Sequence, residues 1–358
     1  MKKLLALILC VCMALCVVAC NDTKKDPAPA AEAEYKLGMG IVVSTASSKT
    51  GNAQVDATVA TVVLDKDGKI VLCRIDVAQN KMAIADGVVD TAKTFETKME
   101  LGDRYGMAGK VDNDGNGVMK EWYEQTKAFE SYVVGKTGAE VAAMTTETVN
   151  NHEITTDKAL LDAGCSMQIV EFRDAVVAAC NDTQGMTFKT AKTFTLGVAA
   201  STTAAESKSA TADEDGLVAM YSDFAATVIA DGKIIAALND AIQPKIAINT
   251  AGEIVSATYV NTKRNLKEAY NMAAYGQSMD WNGDGKVLEW YLQSIEFSKY
   301  VVGKTGAEVK ALTTKAAAAE GAGAGYQISA DDALLSAGCT IQITSIKDVV
   351  AKAATNAR

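Results

Sequence analysis

The sequence predicts an α+β fold made of two tandem copies of one unit, each an antiparallel sheet with helices packed on one face. Two repeated stretches lead to this prediction. YVVGKTGAEV occurs at 132–141 and again at 300–309, after residues whose apolar side chains recur at helical spacing. Asp-Gly-Lys-Ile occurs at 67–70 and at 231–234, each time between two runs of strand type. Asp-Gly in that setting indicates a β-hairpin in each half.

The chain begins with a segment that resembles the lipobox signal of bacterial lipoproteins. Two lysines precede a short apolar run, and the small residue Ala19 stands before Cys20. This pattern predicts a signal peptide over 1–19, cleavage before Cys20, and a lipid on Cys20 that holds the protein at the outer face of the cell membrane. The polar residues 20–34, rich in Ala and Pro, are expected to form a flexible tether.

The two copies are expected at 35–182 and 193–358, joined by a polar linker over 183–192. Each copy contains its own hairpin, helices and apolar runs, and the linker has few apolar side chains to pack. We therefore expect each copy to fold independently of the other.

Composition excludes several classes of function. The formal net charge is −9 and no basic patch stands out, which argues against a nucleic-acid partner. His152 is the single histidine, so His-based metal sites and Ser-His-Asp catalysis are not expected. Because no pair of nucleophile and base is visible, the residues predict a protein that is not an enzyme.

The repeated Gly-Lys-Thr is not expected to bind nucleotides. A phosphate-binding loop needs another glycine four residues earlier, where Glu130 and Ser298 stand instead. The stretch is better explained as a joint between two helices. Glycine ends the first helix, and Thr-x-x-Glu forms a capping box at the start of the second.

Before each Glu-Trp-Tyr helix, oxygen-bearing side chains at alternate positions are followed by glycine, which is the pattern of an EF-hand calcium loop. The expected ligands are Asp112, Asp114, Asn116 and Glu121 in the first copy, and Asp280, Asn282, Asp284 and Glu289 in the second. The two glutamates would close a shortened loop, since tyrosine stands where a bidentate glutamate is usual. The alternative is a solvated turn that caps the helix.

A polar pattern, Asp-x-x-Gln-x-Lys, follows the second strand of each hairpin at 76–81 and 240–245. It is compatible with a polar site. The alternative is that these residues are ordinary polar side chains at half-buried strand ends.

In the order of its elements the chain resembles the FMN-binding domains of Gram-positive surface lipoproteins, in particular those with two such domains in tandem. The resemblance covers most of each copy. It rests on the two hairpins, on the Glu-Trp-Tyr helix with YVVGKTGAEV, and on the turns Ala-Gly-Cys-Ser at 163–166 and Ala-Gly-Cys-Thr at 337–340.

The resemblance implies a site for FMN at these turns. In the family, a flavin transferase esterifies the FMN phosphate to a threonine hydroxyl, and the matching hydroxyls here belong to Ser166 and Thr340. Thr340 is the expected acceptor because threonine is the residue of the family. A helix start directly after the turn would also favour a phosphate. The alternative is a simple cap, in which the hydroxyl starts the last helix.

Two functions are therefore expected. The first is a membrane-anchored extracytoplasmic lipoprotein linked to extracellular flavin and electron transfer, with a flavin transferase and redox proteins as partners. The second is a non-catalytic surface binding module that is stabilised by calcium and has lost the flavin.

Calcium should stabilise the chain if the two loops bind it. A ligand that binds only the folded state raises stability by RT ln(1 + [L]/Kd), so millimolar Ca²⁺ against a Kd of about 10⁻⁴ M contributes about 1.4 kcal/mol per site. We expect a higher melting temperature in about 5 mM Ca²⁺ than in EDTA. An unchanged melting temperature would mean that the loops are only turns.

Overall fold

The computed structural model describes residues 31–108, 115, 120–259, 261–272, 274 and 280–358. The predicted signal peptide and most of the tether, including Cys20, lie outside these residues. The strands are β1 (Ala33–Ser44), β2 (Asn52–Leu64), β3 (Ile70–Ala83), β4 (Thr146–Val149), β5 (His152–Thr155), β6 (Met186–Thr190), β7 (Thr195–Thr203), β8 (Gly216–Val218), β9 (Tyr221–Ala230), β10 (Lys233–Ile242), β11 (Lys245–Ile248), β12 (Ile254–Thr258), β13 (Thr314–Ala316) and β14 (Gln327–Ser329). The helices are α1 (Lys98–Leu101), α2 (Trp122–Val133), α3 (Gly138–Ala142), α4 (Lys158–Asp162), α5 (Val170–Cys180), α6 (Lys263–Leu266), α7 (Trp290–Tyr300), α8 (Gly306–Lys310), α9 (Asp332–Ser336) and α10 (Thr344–Thr355).

Two antiparallel sheets form the centre of the fold. The first has the strand order β3-β2-β1-β6, and the second has the order β10-β9-β7. A smaller sheet, β12-β11-β8, and the two-stranded ladders β4-β5 and β13-β14 complete the strands of the described residues. The predicted hairpins are β2-β3 and β9-β10, and the predicted α+β class with antiparallel sheets is confirmed.

Each main sheet is apolar on both faces because its strands are nearly continuous apolar runs, whose successive side chains enter different apolar clusters. In β2, Val55, Val59 and Val63 belong to one apolar cluster, while Ala60 and Val62 belong to another on the opposite face. Successive strand side chains point to opposite faces, so a strand of this composition must be covered on both sides.

The outer face of each sheet is covered by helices that approach the strands very closely. A Cβ at Gly38 or Gly40 of β1 would lie 2.1 or 2.2 Å from a backbone oxygen of α5. At Gly197 of β7 it would lie 1.9 Å from the backbone oxygen of Ala353 in α10. Glycine is required at these positions because the helix backbone occupies the space of a side chain. In the part of the chain that the structure describes, no helix is long and apolar enough to cross a membrane.

The repeated YVVGKTGAEV stretch is a joint between two helices, as predicted. Gly135 and Gly303 have φ of +83° and +86° just after α2 and α7. Thr137 and Thr305 begin α3 and α8 with complete capping boxes. The backbone N–H of Gly135 also donates to the carbonyl of Ile70 (2.7 Å), so the joint is fastened to the hairpin.

The inner faces of the two sheets pack against each other in one shared core. This cluster contains Leu37, Val55 and Met82 from the first half of the chain (35–182) together with Leu196 and Phe224 from the second half (193–358). Asn80 Nδ2 donates across it to Ser222 Oγ (3.2 Å). The shared core argues against independent folding of the two copies, which stays untested, and each half also has an apolar cluster of its own beneath its helices.

The predicted linker over 183–192 is also part of the fold. It contains β6, which pairs with β1 from Leu37↔Met186 to Ala33↔Thr190. Phe188 is buried in the shared core. The linker was expected to pack little because it is mostly polar, but one strand with alternating side chains is enough to extend the sheet. That the halves arose by duplication remains a prediction.

We expect residues 35–182 expressed alone to lack a cooperative thermal transition and to bind a hydrophobic dye. This fragment lacks β6, and the inner face of its sheet would be exposed to water, where each buried aliphatic side chain loses about 1.5–3 kcal/mol. The comparison is with residues 20–358, measured by calorimetry and dye fluorescence. A monomeric fragment that melts cooperatively would contradict the expectation that residues 35–182 need the second half of the chain to form a stable fold.

Candidate functional site

The second predicted calcium loop is held by hydrogen bonds within the loop itself. The Asp280 carboxylate accepts the N–H groups of Asp284 (3.1 Å) and Gly285 (2.9 Å), and Asp284 accepts the N–H of Lys286 (2.8 Å). Asn282 Nδ2 donates to Asp284 (3.0 Å). These are the bonds of an Asp/Asn turn. In the first loop, Asp112, Asp114 and Asn116 lie outside the described residues.

The two glutamates that were expected to close the calcium loops stand at the starts of the long helices. Glu121 is the N-cap of α2, and its carboxylate accepts the N–H groups of Met107 (2.9 Å) and Ala108 (3.0 Å). Glu289 begins α7 and accepts the N–H of Met272 (2.9 Å). No cluster of three or more His, Cys, Asp or Glu among the described residues is arranged to hold a metal ion. Calcium binding stays a prediction.

The two hydroxyl turns expected to carry FMN have the same geometry and are both buried. Gly164 and Gly338 have φ of +89° and +90°, which lets the chain reverse directly after α4 and α9. Ser166 and Thr340 follow two residues later, with exposed fractions of 6% and 4%. Neither hydroxyl is presented to solvent.

A buried glutamine of the preceding long helix holds each turn. Gln125 Oε1 accepts the N–H groups of Ser166 and Met167 (both 3.0 Å). Gln293 Oε1 accepts the N–H of Thr340 (2.7 Å) and lies 3.3 Å from its Oγ1. Sequence reasoning missed both glutamines, although they occupy the same position of the two Trp-Tyr-x-Gln segments and could have been found there.

The helix after each turn begins later than expected. α5 starts at Val170 with Ile169 as N-cap, and α10 starts at Thr344 with Ile343 as N-cap. Neither Ser166 nor Thr340 therefore caps the last helix, and the prediction that the turn opens directly into a helix start is wrong. The free N–H groups that would favour a phosphate lie four residues further along.

The surroundings of the two turns differ in charge. Lys120 Nζ donates to the carbonyl of Ala163 (2.8 Å), and a Cβ at Gly164 would lie 2.3 Å from it. At the second turn Leu288 takes this place, 2.6 Å from where a Cβ of Gly338 would be. A cation thus lies at the glycine of the first turn and an apolar side chain at the glycine of the second, although the second turn carries Thr340, the expected acceptor.

As they stand, the turns do not fit a flavin phosphate ester. Each hydroxyl is buried, and the nearest described N–H groups already bind a glutamine oxygen. Esterified FMN would place a phosphodiester monoanion there, and a buried anion without donors costs several kcal/mol. Attachment would require the glutamine to leave and the turn to open.

A second candidate site lies at Asp76, the first residue of the polar pattern after the first hairpin. Asp76 is 2% exposed in β3. Its Oδ1 accepts the N–H groups of Val77 (2.7 Å) and Met99 (3.2 Å), and the Thr97 hydroxyl bonds to the same carboxyl. Burial raises the pKa of Asp76 to about 6, and the hydrogen bonds to Thr97, Met99 and Val77 oppose this rise. A buried acid with such a pKa beside a cavity is a frequent mark of a functional site.

Asp76 lies at a cleft of about 450 Å³ between the two halves, here called the Asp76 cleft. This volume falls in the usual range of small-molecule sites. The first half contributes Asp76, Met99, Glu100, Gly102, Asp103, Tyr123 and Lys127, and the second half contributes Val198, Asn356 and Arg358.

Charged side chains around the cleft are mostly paired with one another. Glu100 forms an ion pair with Lys352 (2.6 Å), and Arg358 forms one with the buried Glu130 (2.7 Å). Lys127 Nζ lies over the ring of Tyr123, 4.8 Å from its centroid. Two of these contacts cross between the halves, so the cleft exists only in the assembled fold.

Comparison with known proteins gives one partial relative. No family model and no solved structure matches the chain. Among curated proteins, Chlorophenol reductase of Desulfitobacterium hafniense is 33% identical over 132 residues, which cover 32% of this chain and 38% of that protein. The match thus spans well under half of either chain.

This relative changes one prediction. The residues were expected to describe a protein that is not an enzyme, because no nucleophile and base could be paired. The name of the relative is that of an enzyme, which contradicts this expectation. A reductase that draws its electrons from a bound redox group needs no such pair, so their absence was a poor criterion.

We expect the free energy of unfolding of the wild type to fall between pH 4 and pH 7 in part because Asp76 loses its proton, and we expect Asp76→Asn to remove that part of the fall. The raised pKa means that the folded protein holds this proton more tightly than the unfolded chain. The corresponding stability is present below pH 4 and is lost as the pH rises through about 6, with a total of about 3 kcal/mol. Urea unfolding at several pH values measures it.

The difference in unfolding free energy between wild type and Asp76→Asn should change by about 3 kcal/mol over this pH range. A constant difference for Asp76→Asn would contradict the raised pKa.

Proposed function

We propose that this protein takes part in an enzymatic reduction at the outer face of the cell membrane, with a flavin such as FMN as its redox group. The observation that carries the proposal is the partial match to Chlorophenol reductase. The resemblance to FMN-binding domains supports the choice of a flavin. The lipid on Cys20 would supply the membrane location, and the tether would let the fold reach its redox partners.

The contacts of the hydroxyl turns favour a flavin that is bound without an ester bond. Thr340 and Ser166 are buried, and Gln293 and Gln125 occupy the positions from which a phosphate would be recognised. When bound, the flavin would supply electron transfer. The residues of this chain would hold the ring, exclude water and place proton-bearing groups such as Asp76 beside it.

The substrate is proposed by analogy with the relative's name. A chlorophenol is a planar ring with one oxygen, and the Asp76 cleft offers an aromatic ring, two apolar side chains and a buried acid. These groups suit a planar aromatic molecule better than a sugar or a peptide.

The test is co-expression of residues 20–358 with a flavin transferase, followed by native purification and mass spectrometry under denaturing conditions. We expect visible flavin absorbance in the native protein, an unmodified protein mass, and release of the flavin on denaturation. Thr340→Ala and Ser166→Ala should keep the flavin, because neither hydroxyl is the attachment point.

Two outcomes would contradict the proposal in different ways. A mass adduct that disappears in Thr340→Ala would show an ester bond and would mean that the turn opens. Protein from the native host that carries no flavin and transfers no electrons from dithionite to an acceptor would overturn the redox function itself.

A further inference from the structure

The second half of the chain contains the counterpart of the Asp76 arrangement. Asp240 stands at the same position of β10 and is 5% exposed. Its Oδ1 accepts the N–H groups of Ala241 (2.8 Å) and Arg264 (3.0 Å), and the Thr262 hydroxyl bonds to the carboxyl. Burial raises the pKa of Asp240, and the nearby Arg264 lowers it. Arg264 therefore occupies the place that Met99 has in the first half.

Arg264 closes the second arrangement. Its side chain is 4% exposed and pairs with Asp182 (3.2 Å), and its guanidinium also donates to the carbonyl of Gln184 (2.9 Å). A cavity of about 290 Å³ is lined by residues such as Asp182, Gln184 and Lys267, and Asp240 is not among them. The buried acid of the second half is thus separated from the cavity.

In the first half, methionine stands at this position, and the buried acid belongs to the lining of a cleft. Met99 has no charged group and no partner that it must reach, so its side chain forms one wall of the Asp76 cleft and Asp76 stays in the lining. The two halves share one backbone frame. Asp76 lines the cleft beside Met99, whereas Asp240 does not line the cavity beside Asp182 and Gln184, the partners of Arg264.

The lining of the open cleft is selective. Met99 and Val198 are apolar walls, and the ring of Tyr123, over which Lys127 Nζ lies at 4.8 Å, is the aromatic surface of the cleft. Asp76, Glu100 and Asp103 bring carboxyl groups against the cations Lys127 and Arg358, and Arg358 is already paired with Glu130, so little positive charge is left for a phosphate dianion. An uncharged planar molecule meets no such penalty.

We propose that the Asp76 cleft binds a planar, uncharged aromatic ring that carries oxygen atoms, as flavin rings and phenols both do. The ring lies between the apolar walls and Tyr123, and one oxygen faces Asp76. A carboxyl group that keeps its proton into the mildly acidic range can donate a hydrogen bond to that oxygen.

The experiment measures binding of two probes to residues 20–358 freed of bound flavin. Lumiflavin represents the flavin ring without phosphate, and 2-naphthol represents the phenols. Decahydro-2-naphthol, which has the same bicyclic skeleton without aromatic character, is the control ligand. Titration is followed by calorimetry and by the fluorescence of the aromatic probes.

Met99→Arg copies Arg264 and should fill the cleft. We expect it to weaken binding of the aromatic probe by at least about tenfold, since the guanidinium takes the space of the ring and lies beside Asp76. Met99→Leu is the matched control and should change the affinity by less than about threefold, because it keeps an apolar side chain of similar volume.

Tyr123→Leu keeps the test decisive if Met99→Arg fails to fold. Loss of the stacking surface should weaken binding by about three- to tenfold without closing the cleft. A thermal melt of each variant confirms that it is folded.

The probes separate the two sources of the ring. If lumiflavin binding depends on Met99 and Tyr123, the cleft is the flavin site. If only 2-naphthol binding does, the cleft is a substrate site and the inference stands even if the protein carries no flavin. Equal binding of decahydro-2-naphthol, no binding of either aromatic probe, or affinities that neither substitution changes would overturn the inference.

Discussion

Everything else in this structure depends on the packing of two sheets through one apolar core. Each sheet has two apolar faces, and the helices of its own half cover only one. The other faces of both sheets meet in one cluster, which also takes in Val218 and Ile246 of the smaller sheet, so Val55 and Phe224 are buried in the same core. The hydrophobic effect is roughly proportional to the area removed from water, which makes this contact a major stabilising term in either half.

The same packing creates the place where chemistry is possible. Since the sheets meet face to face, α1 of the first half comes to lie beside the C-terminal end of α10, and the Glu100–Lys352 ion pair joins them. On the other side of the molecule α6 meets the end of α5 through Arg264 and Asp182. The two edges have the same construction, yet methionine stands beside the buried acid at one edge and arginine at the other.

The two hydroxyl turns resemble the FMN attachment turns in sequence, but their contacts hold them closed. Their backbone is set by a glycine with positive φ and by a buried glutamine, which satisfies the N–H groups after the turn. Buried donors must be paired, so the glutamine stabilises the closed turn. In this state the hydroxyls of Ser166 and Thr340 serve the packing of the turn, and a redox group would have to be held elsewhere.

The sequence by itself determined the local structure. Alternating apolar residues around Asp-Gly predicted both hairpins, and Thr-x-x-Glu after glycine predicted the helix joints, because these signals act within a few residues. Only the tertiary structure decided what depends on distant contacts: the strand within the predicted linker, the core shared by both halves, and Gln125 and Gln293 behind the turns. It also decided that Asp76 lines a cleft, while Asp240 lies against Arg264. A side chain's environment is set by neighbours tens to hundreds of residues away, and no pattern in a short stretch records which of them will cover it.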